Sequence, residues 1–167
     1  MTLEETAVRL LKEKEYTVST AESCTGGLLA GRIINVSGAS DVINVGFITY
    51  ANEAKMKYLG VSSETLKDHG AVSRECAKEM ALGVTKQMNA DVGLATTGIA
   101  GPDGGTVEKP VGLVYIGCNV CGNVKIEELR LSGTREEIRN MSVTKALELL
   151  VDCLKQGDAS TLSQEND

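Results

Sequence analysis

At 167 residues and 17.6 kDa the chain suits one domain with a sizeable core, and its 42% hydrophobic and 24% charged residues exclude the disordered, collagenous and coiled-coil classes. Asp and Glu outnumber Lys and Arg by 23 to 17, a net charge of −6 with a pI near 4.9, which argues against nucleic acid or an anionic membrane as a partner. One Phe, four Tyr and no Trp are too few rings for a base-stacking platform.

Residues 2–14 are predicted to be a helix, because Thr2 and Glu5 stand at capping-box spacing and Leu3, Ala7, Leu10 and Leu11 fall on one face. A short strand follows from Tyr16 to Ala21, then the turn SCTGG, then a second helical pattern through Leu28, Leu29, Ile33 and Ile34. Residues 42–51, VINVGFITYA, are rich in β-branched positions and read as a strand, and Asn52 is placed to cap a helix carrying Glu53 to Tyr58. Between Ser73 and Asn89 the set Ala77, Met80, Ala81, Val84 and Met88 keeps helical spacing, and Asp91 to Thr97 is strand-like. The next 15 residues, 98–112, hold five of the 18 glycines and both prolines, so they read as a loop with special backbone conformations.

The run VGLVYIGCNVCGNVKIEELRL, residues 111–131, predicts two strands joined near Gly122-Asn123. Thr134 and Glu137 repeat the capping-box spacing ahead of a helix with Val143, Ala146, Leu147, Leu150 and Leu154 turned inward. Residues 156–167 carry three acidic groups and no Lys or Arg; they are read as a disordered tail, leaving 1–155 as the domain. Helices alternating with strands predict an α/β fold, a sheet covered on both faces by helices, and the hairpin makes that sheet mixed.

Five cysteines stand at Cys24, Cys76, Cys118, Cys121 and Cys153, an odd number. The N-terminal MTLEETAVRLLKEKEY has charges where a signal peptide needs an apolar run, and no stretch reaches the ~18 apolar residues of a membrane span. The expectation is a cytoplasmic protein with reduced thiols, no disulfide and no membrane contact. Cys118 and Cys121 form a CxxC at a predicted hairpin end, where a structural role competes with a redox or metal role. Zinc needs about four ligands. No second CxxC or His pair completes such a site, since His69 is the only histidine, so no metal and no cofactor are expected.

Three readings remain open for Ser23-Cys24-Thr25-Gly26-Gly27, which sits where a strand passes into a helix. It is a plain helix cap, an anion cradle of free N–H groups, or a nucleophile turn that exposes the Ser23 hydroxyl beside oxyanion-stabilising N–H groups. A nucleophile needs a base. His69 lies in the turn-like KDHGAVS and reads as exposed. Lys55 falls in the first turn of the helix after Asn52, where the positive helix end disfavours a protonated amine, and Tyr50 is near enough in sequence to bridge it to the serine by its hydroxyl. The alternative for Lys55 is an ordinary solvated lysine. The Gly-rich loop is neither GxxxxGK[ST] nor GxGxxG, which removes support for NTP hydrolysis and Rossmann dinucleotide binding; Thr97 and the loop N–H groups would face the ligand of the SCTGG turn.

The runs TAESCTGG (20–27), GFITYANEAKMKYLGV (46–61), HGAVS (69–73), TTGIAGPDGGTVEKPVGLVYIG (96–117) and TREEIR (134–139) together resemble the CinA C-terminal domain family, the nicotinamide-nucleotide amidases, in order and spacing over residues 3–155. The resemblance implies a three-layer α/β/α sandwich with a mixed, mainly parallel sheet of about five strands. It implies hydrolysis of the carboxamide of nicotinamide mononucleotide to nicotinate mononucleotide and ammonia without a metal, a step of pyridine-nucleotide salvage. The family's nucleophilic serine matches Ser23, and its supporting tyrosine and lysine match Tyr50 and Lys55. The expected substrate-binding set is Thr25, Gly26 and Gly27 of the turn, Thr97, Gly98, Gly101, Gly105 and Thr106 of the Gly-rich loop, and Arg135 and Arg139. Thr134 stands where the family often has Asp. The rival from another class is a non-catalytic nucleotide-binding module that uses the same loops without needing Lys55. The expected partner is a small-molecule nucleotide, and a homodimer or higher homo-oligomer stays open.

Overall fold

The computed structural model describes residues 1–162. Thr2 caps the first helix, α1 (Leu3–Glu13), with the reciprocal capping box that its spacing predicts. The chain then forms β1 (Val18–Glu22), α2 (Leu28–Ile34), β2 (Ile43–Ile48), α3 (Asn52–Leu59), α4 (Ser63–His69), α5 (Arg74–Met88), β3 (Val92–Gly98), β4 (Leu113–Val120), β5 (Asn123–Arg130) and α6 (Arg135–Leu162). Four local expectations are corrected. Ala51, not Asn52, is the N-cap of α3, so Asn52 is its first helical residue. The unpredicted α4 is capped by Ser62 and takes in His69 as its last residue.

The third correction is to the hairpin, which turns at Cys121-Gly122, one residue earlier than expected. Val120 pairs with Asn123, and both turn residues have positive φ, 49° and 95°. A two-residue turn of that kind favours glycine at its second position, and Asn119 Oδ1 accepts the Gly122 N–H at 2.9 Å. Fourth, α6 continues to Leu162, into the segment expected to be a tail; residues 163–167 lie outside the described residues.

The strands form one mixed sheet in the order β2-β1-β3-β4-β5. β1 runs parallel to β2 and β3, while β4 is antiparallel to both of its neighbours, so four of the five strands point the same way. Helices α1, α2 and α6 cover one face and build the larger core around Leu11, Leu29, Leu94, Ile116, Leu147 and Leu150. α5 covers the other face, with α3 and α4 packed against it and Tyr58 of α3 meeting Phe47 of β2, and closes a smaller core around Ala21, Leu59, Met80, Val84 and Ala95. This is the three-layer α/β/α sandwich. Among the described residues no helix is long and apolar enough to cross a membrane.

Register positions the site. β1 ends at Glu22, paired with Ile48 on one side and Thr96 on the other, and the Ser23 N–H continues the ladder by donating to Thr96 O at 3.0 Å. Ser23 therefore stands beside Thr97, whose partner on β4 is Tyr115. The sheet pleat sends odd-numbered residues of β3 toward α5, as Ala95 shows by packing in the smaller core.

Candidate functional site

Ser23 follows β1 directly, and α2 begins only at Leu28, after a turn in which Gly26 and Gly27 adopt φ of 57° and 98°. Those left-handed conformations explain the two glycines. The structure brings Ser23 and Lys55 together: Lys55 Nζ lies 3.1 Å from Ser23 Oγ, 2.8 Å from Thr49 O and 3.2 Å from Tyr50 O. Lys55 is 1% exposed and Ser23 8%. Among the described residues no carboxylate pairs with this amine. Burial pushes the Lys55 pKa down from its ordinary value, opposed by weaker attraction from the Cys76 and Cys24 thiols.

The three acceptors define what the amine can do. As a neutral amine it donates to the two carbonyls and its lone pair faces Ser23 Oγ, ready to accept that hydroxyl's proton. Cys24, next along the chain, is no competitor as a nucleophile, because burial raises its thiol to about 12. Tyr50 differs from the expectation. It meets Lys55 through its carbonyl oxygen, while its side chain is exposed and its hydroxyl pairs with Arg135 at 3.2 Å. The phenol does not bridge lysine to serine.

Glu22 is the site residue that sequence reasoning missed. Its carboxylate is 1% exposed and accepts from Thr25 Oγ1 at 2.6 Å and from the N–H groups of Gly27, Leu29 and Ala30 at 3.2, 2.9 and 3.0 Å. Thr25 Oγ1 also pairs with Thr96 Oγ1 at 2.7 Å, tying the turn to β3. The anion cradle expected at Thr25 to Gly27 is thus filled by the protein's own carboxylate. The available signal was a charged residue inside the otherwise uncharged run TVSTAESCTGG. Gly26 N–H is spent on Ser23 O at 3.2 Å, whereas Thr25 N–H has no acceptor among the described residues. Thr25 N–H and Cys24 N–H, which also has no acceptor among the described residues, are the donors left for an oxyanion.

Of the two arginines, Arg139 donates from Nε to Cys24 O at 2.9 Å and from Nη2 to Thr25 O at 3.2 Å, clamping the turn. Arg135 donates to Gly101 O at 2.8 Å, which brings the Gly-rich loop beside Tyr50. Thr97 is buried and donates to Ala71 O at 2.8 Å, so its hydroxyl holds the link before α5 instead of facing a ligand. Gly98 ends β3 against Val114, and Gly101, with φ of 80°, and Gly105 pack against Val111. Thr106 accepts the Lys109 N–H at 2.9 Å on the exposed part of the loop. His69 is half exposed, with Nδ1 3.7 Å from Glu75. The CxxC separates: Cys118 is buried in β4 beside Cys153 of α6, and Cys121 is exposed in the turn. No cluster of three or more His, Cys, Asp or Glu side chains suited to a metal occurs among the described residues.

A model of the CinA C-terminal domain matches residues 1–154. A CinA-like protein of Dictyoglomus turgidum is 54% identical over 148 residues, 89% of this chain and 36% of its own length. The chain spans about a third of the length of the curated relatives it matches. Among solved structures, the competence/damage inducible protein CihA of Agrobacterium tumefaciens superposes with a TM-score of 0.86 at 47% identity, covering 92% of this chain and 95% of that one. The competence damage-inducible protein A of Klebsiella pneumoniae does so with a TM-score of 0.89 at 34% identity and the same coverage.

Proposed function

The chain belongs to the CinA C-terminal domain family, and we propose that it is a metal-free amidohydrolase that converts nicotinamide mononucleotide to nicotinate mononucleotide and ammonia. The observation that carries the reading is the buried Lys55 amine 3.1 Å from Ser23 Oγ, with two carbonyls and, among the described residues, no carboxylate around it. A solvated lysine or a plain cap would require neither that burial nor that contact. Ser23 Oγ attacks the carboxamide carbon as Lys55 takes its proton. The tetrahedral oxyanion is met by the Thr25 N–H and the Cys24 N–H. Lys55 then passes its proton to the departing nitrogen, ammonia leaves, and a water activated by the same amine hydrolyses the acyl-serine to the carboxylate. Tyr50 supports the amine through its carbonyl, Arg139 and Glu22 hold the turn, and Arg135 holds the Gly-rich loop at the rim. We assign the activity to the cytoplasm.

The test is ammonia release from nicotinamide mononucleotide by purified, chelator-treated protein and by its Ser23→Ala variant. Release by the parent that falls about a thousandfold or more in the variant is expected. A variant as active as its parent removes Ser23 from the mechanism. A parent that binds the nucleotide but releases no ammonia leaves the non-catalytic binding module.

A further inference from the structure

All five cysteines are free, and two of them from distant parts of the chain meet on the face of the sheet that α6 covers. Successive residues of β4 point to opposite faces. Ile116 and Cys118 lie in the larger core beneath α6, whereas a Cβ on Gly117 would stand 3.3 Å from Ala77 O of α5, and Asn119 bonds to Thr85 of α5. Cys118 is thereby aimed at α6. On that helix Cys153 stands three residues beyond Leu150 and seven beyond Ala146, so helical spacing sets it at the edge of the buried stripe, where it packs on the same core. The two thiols interact across the β4–α6 interface.

The two members of the pair differ in access. Cys118 is fully buried, while Cys153 is half-buried and opens into a cleft of about 330 Å³ whose wall also holds Val120, Lys125 and Gln156. Lys125 is the register partner of Cys118 on β5, so its side chain leaves the sheet on the same face. It is exposed and forms no ion pair among the described residues. The hydrogen bond from Cys118 holds the Cys153 thiol below its ordinary pKa, helped by the Lys125 ammonium and opposed by burial and by the Asp152 and Glu127 carboxylates. The same bond, together with burial, holds Cys118 well above its own. One thiol is accessible and inclined to ionise; its neighbour is sealed from solvent and keeps its proton.

We propose that Cys118 and Cys153 are a peroxide-reactive thiol pair, in which Cys153 is oxidised first and Cys118 resolves it as a disulfide between β4 and α6, with Lys125 as the cation beside them. The Cys153 thiolate attacks one oxygen of a hydroperoxide that enters the cleft. The O–O bond breaks, Cys153 becomes a sulfenic acid by a two-electron oxidation, and the departing oxygen takes up the thiol's proton and leaves as an alcohol, or as water from hydrogen peroxide. Cys118 Sγ then attacks the sulfenic sulfur. The S–S bond forms, the S–O bond breaks, and the hydroxide leaves with the Cys118 proton as water. Two thiols and one hydroperoxide thus give one disulfide, one alcohol and one water. This pair stands apart from Ser23: Arg139 of α6 grips the nucleophile turn, and Cys153 lies roughly 20 Å further along the same helix at its usual rise per residue.

The experiment exposes the reduced, purified chain to a small excess of hydrogen peroxide, quenches with an alkylating agent and reads each cysteine by peptide mass spectrometry. A linked Cys118–Cys153 peptide is expected, reversible by dithiothreitol and formed before Cys121 is oxidised, although Cys121 is the more exposed thiol. In Cys118→Ala the reaction should stop at a Cys153 sulfenic acid, trapped by dimedone. Lys125→Met, at an exposed position, should slow the loss of the Cys153 thiol by about threefold or more. Oxidation of Cys121 ahead of Cys153, a Cys153 sulfenic acid that never links to Cys118 in the unmutated chain, or a rate unchanged by Lys125→Met would overturn the proposal. Should Cys118→Ala fail to fold, the linked peptide of the unmutated chain and the Lys125→Met rate decide it.

Discussion

At the scale of one side chain, Lys55 is an amine whose pKa burial lowers, and this sets function against stability. The unfolded chain holds the Lys55 proton up to the ordinary lysine range near 10.5, whereas the folded chain releases it at lower pH. Between those two values the unfolded state binds more protons, so this group's contribution to stability rises with pH and is least in acid, where the fold must bury an ammonium. Lys55→Met is therefore expected to be more stable than the parent by about 1 kcal/mol or more at pH 6, with the gap closing toward pH 10, and to lose about a thousandfold in kcat. Urea melts at the two pH values and ammonia release check both halves; a Met variant less stable at pH 6 would mean that the amine is not a buried cost. In the parent, kcat/KM should climb with pH on a limb set by Lys55, and Lys55→Arg should abolish turnover, since a guanidinium holds its proton. Glu22 has the opposite character. Its carboxylate gathers three N–H groups and a hydroxyl out of water, so Glu22→Ala strands those donors and is expected to cost about 3 kcal/mol or more, read in the same melts. A cost below about 1 kcal/mol would show that water replaces the carboxylate freely.

At the scale of elements, α3 owes its position to a missing side chain on α5. A Cβ on Gly83 would stand 1.8 Å from Leu59 O, so the two helices approach at a point where only glycine fits. Gly83→Ala is expected to cost about 2 kcal/mol and to lower kcat more than it raises KM, because α3 shifts and carries Lys55 with it. A fall in stability with kcat intact would show that Lys55 reaches Ser23 independently of the helix packing. Elements with their own local chemistry were legible in the sequence: the capping boxes at Thr2 and Thr134 and the apolar spacing of α5 and α6 are all present. What was not legible depended on neighbours. α4 buries no residue, so no apolar stripe announces it. Leu28 and Ile34 are exposed although they extend the α2 pattern, because α2 turns Leu29 and Ile33 to the core. Lys55 and Ser23 could be paired on motif alone, but the roles of Glu22, Arg139 and the Tyr50 carbonyl are set by tertiary contacts between segments far apart in the chain.

At the scale of the whole molecule, the sheet divides two unequal cores, and Lys55, which meets Ser23, is buried on α3 on the side of the smaller. On one face α1, α2 and α6 pack a broad apolar layer against the strands. On the other, α5 makes most of the contact with the sheet, α3 packs beside it with Tyr58 against Phe47 of β2, and α4 is attached through α5; α3 buries Lys55 and Leu59, and α4 buries nothing. Apolar burial is the main term that resists opening, at about 25 cal/mol per Å², so the segment with least of it should open first. Opening of α3 and α4 together would carry the Lys55 amine away from Ser23 and into water, where it would hold a proton, so the site should exist only in the closed form. Native-state hydrogen exchange is expected to show amides of residues 55–69 exchanging through an opening at least about 2 kcal/mol less costly than that of β1, β3 and β4, and addition of nucleotide to a Ser23→Ala protein should slow them. If instead residues 55–69 exchanged only with the central strands, α3 would be part of the global folding unit, and the buried amine would be held in place by the cooperativity of the whole sheet.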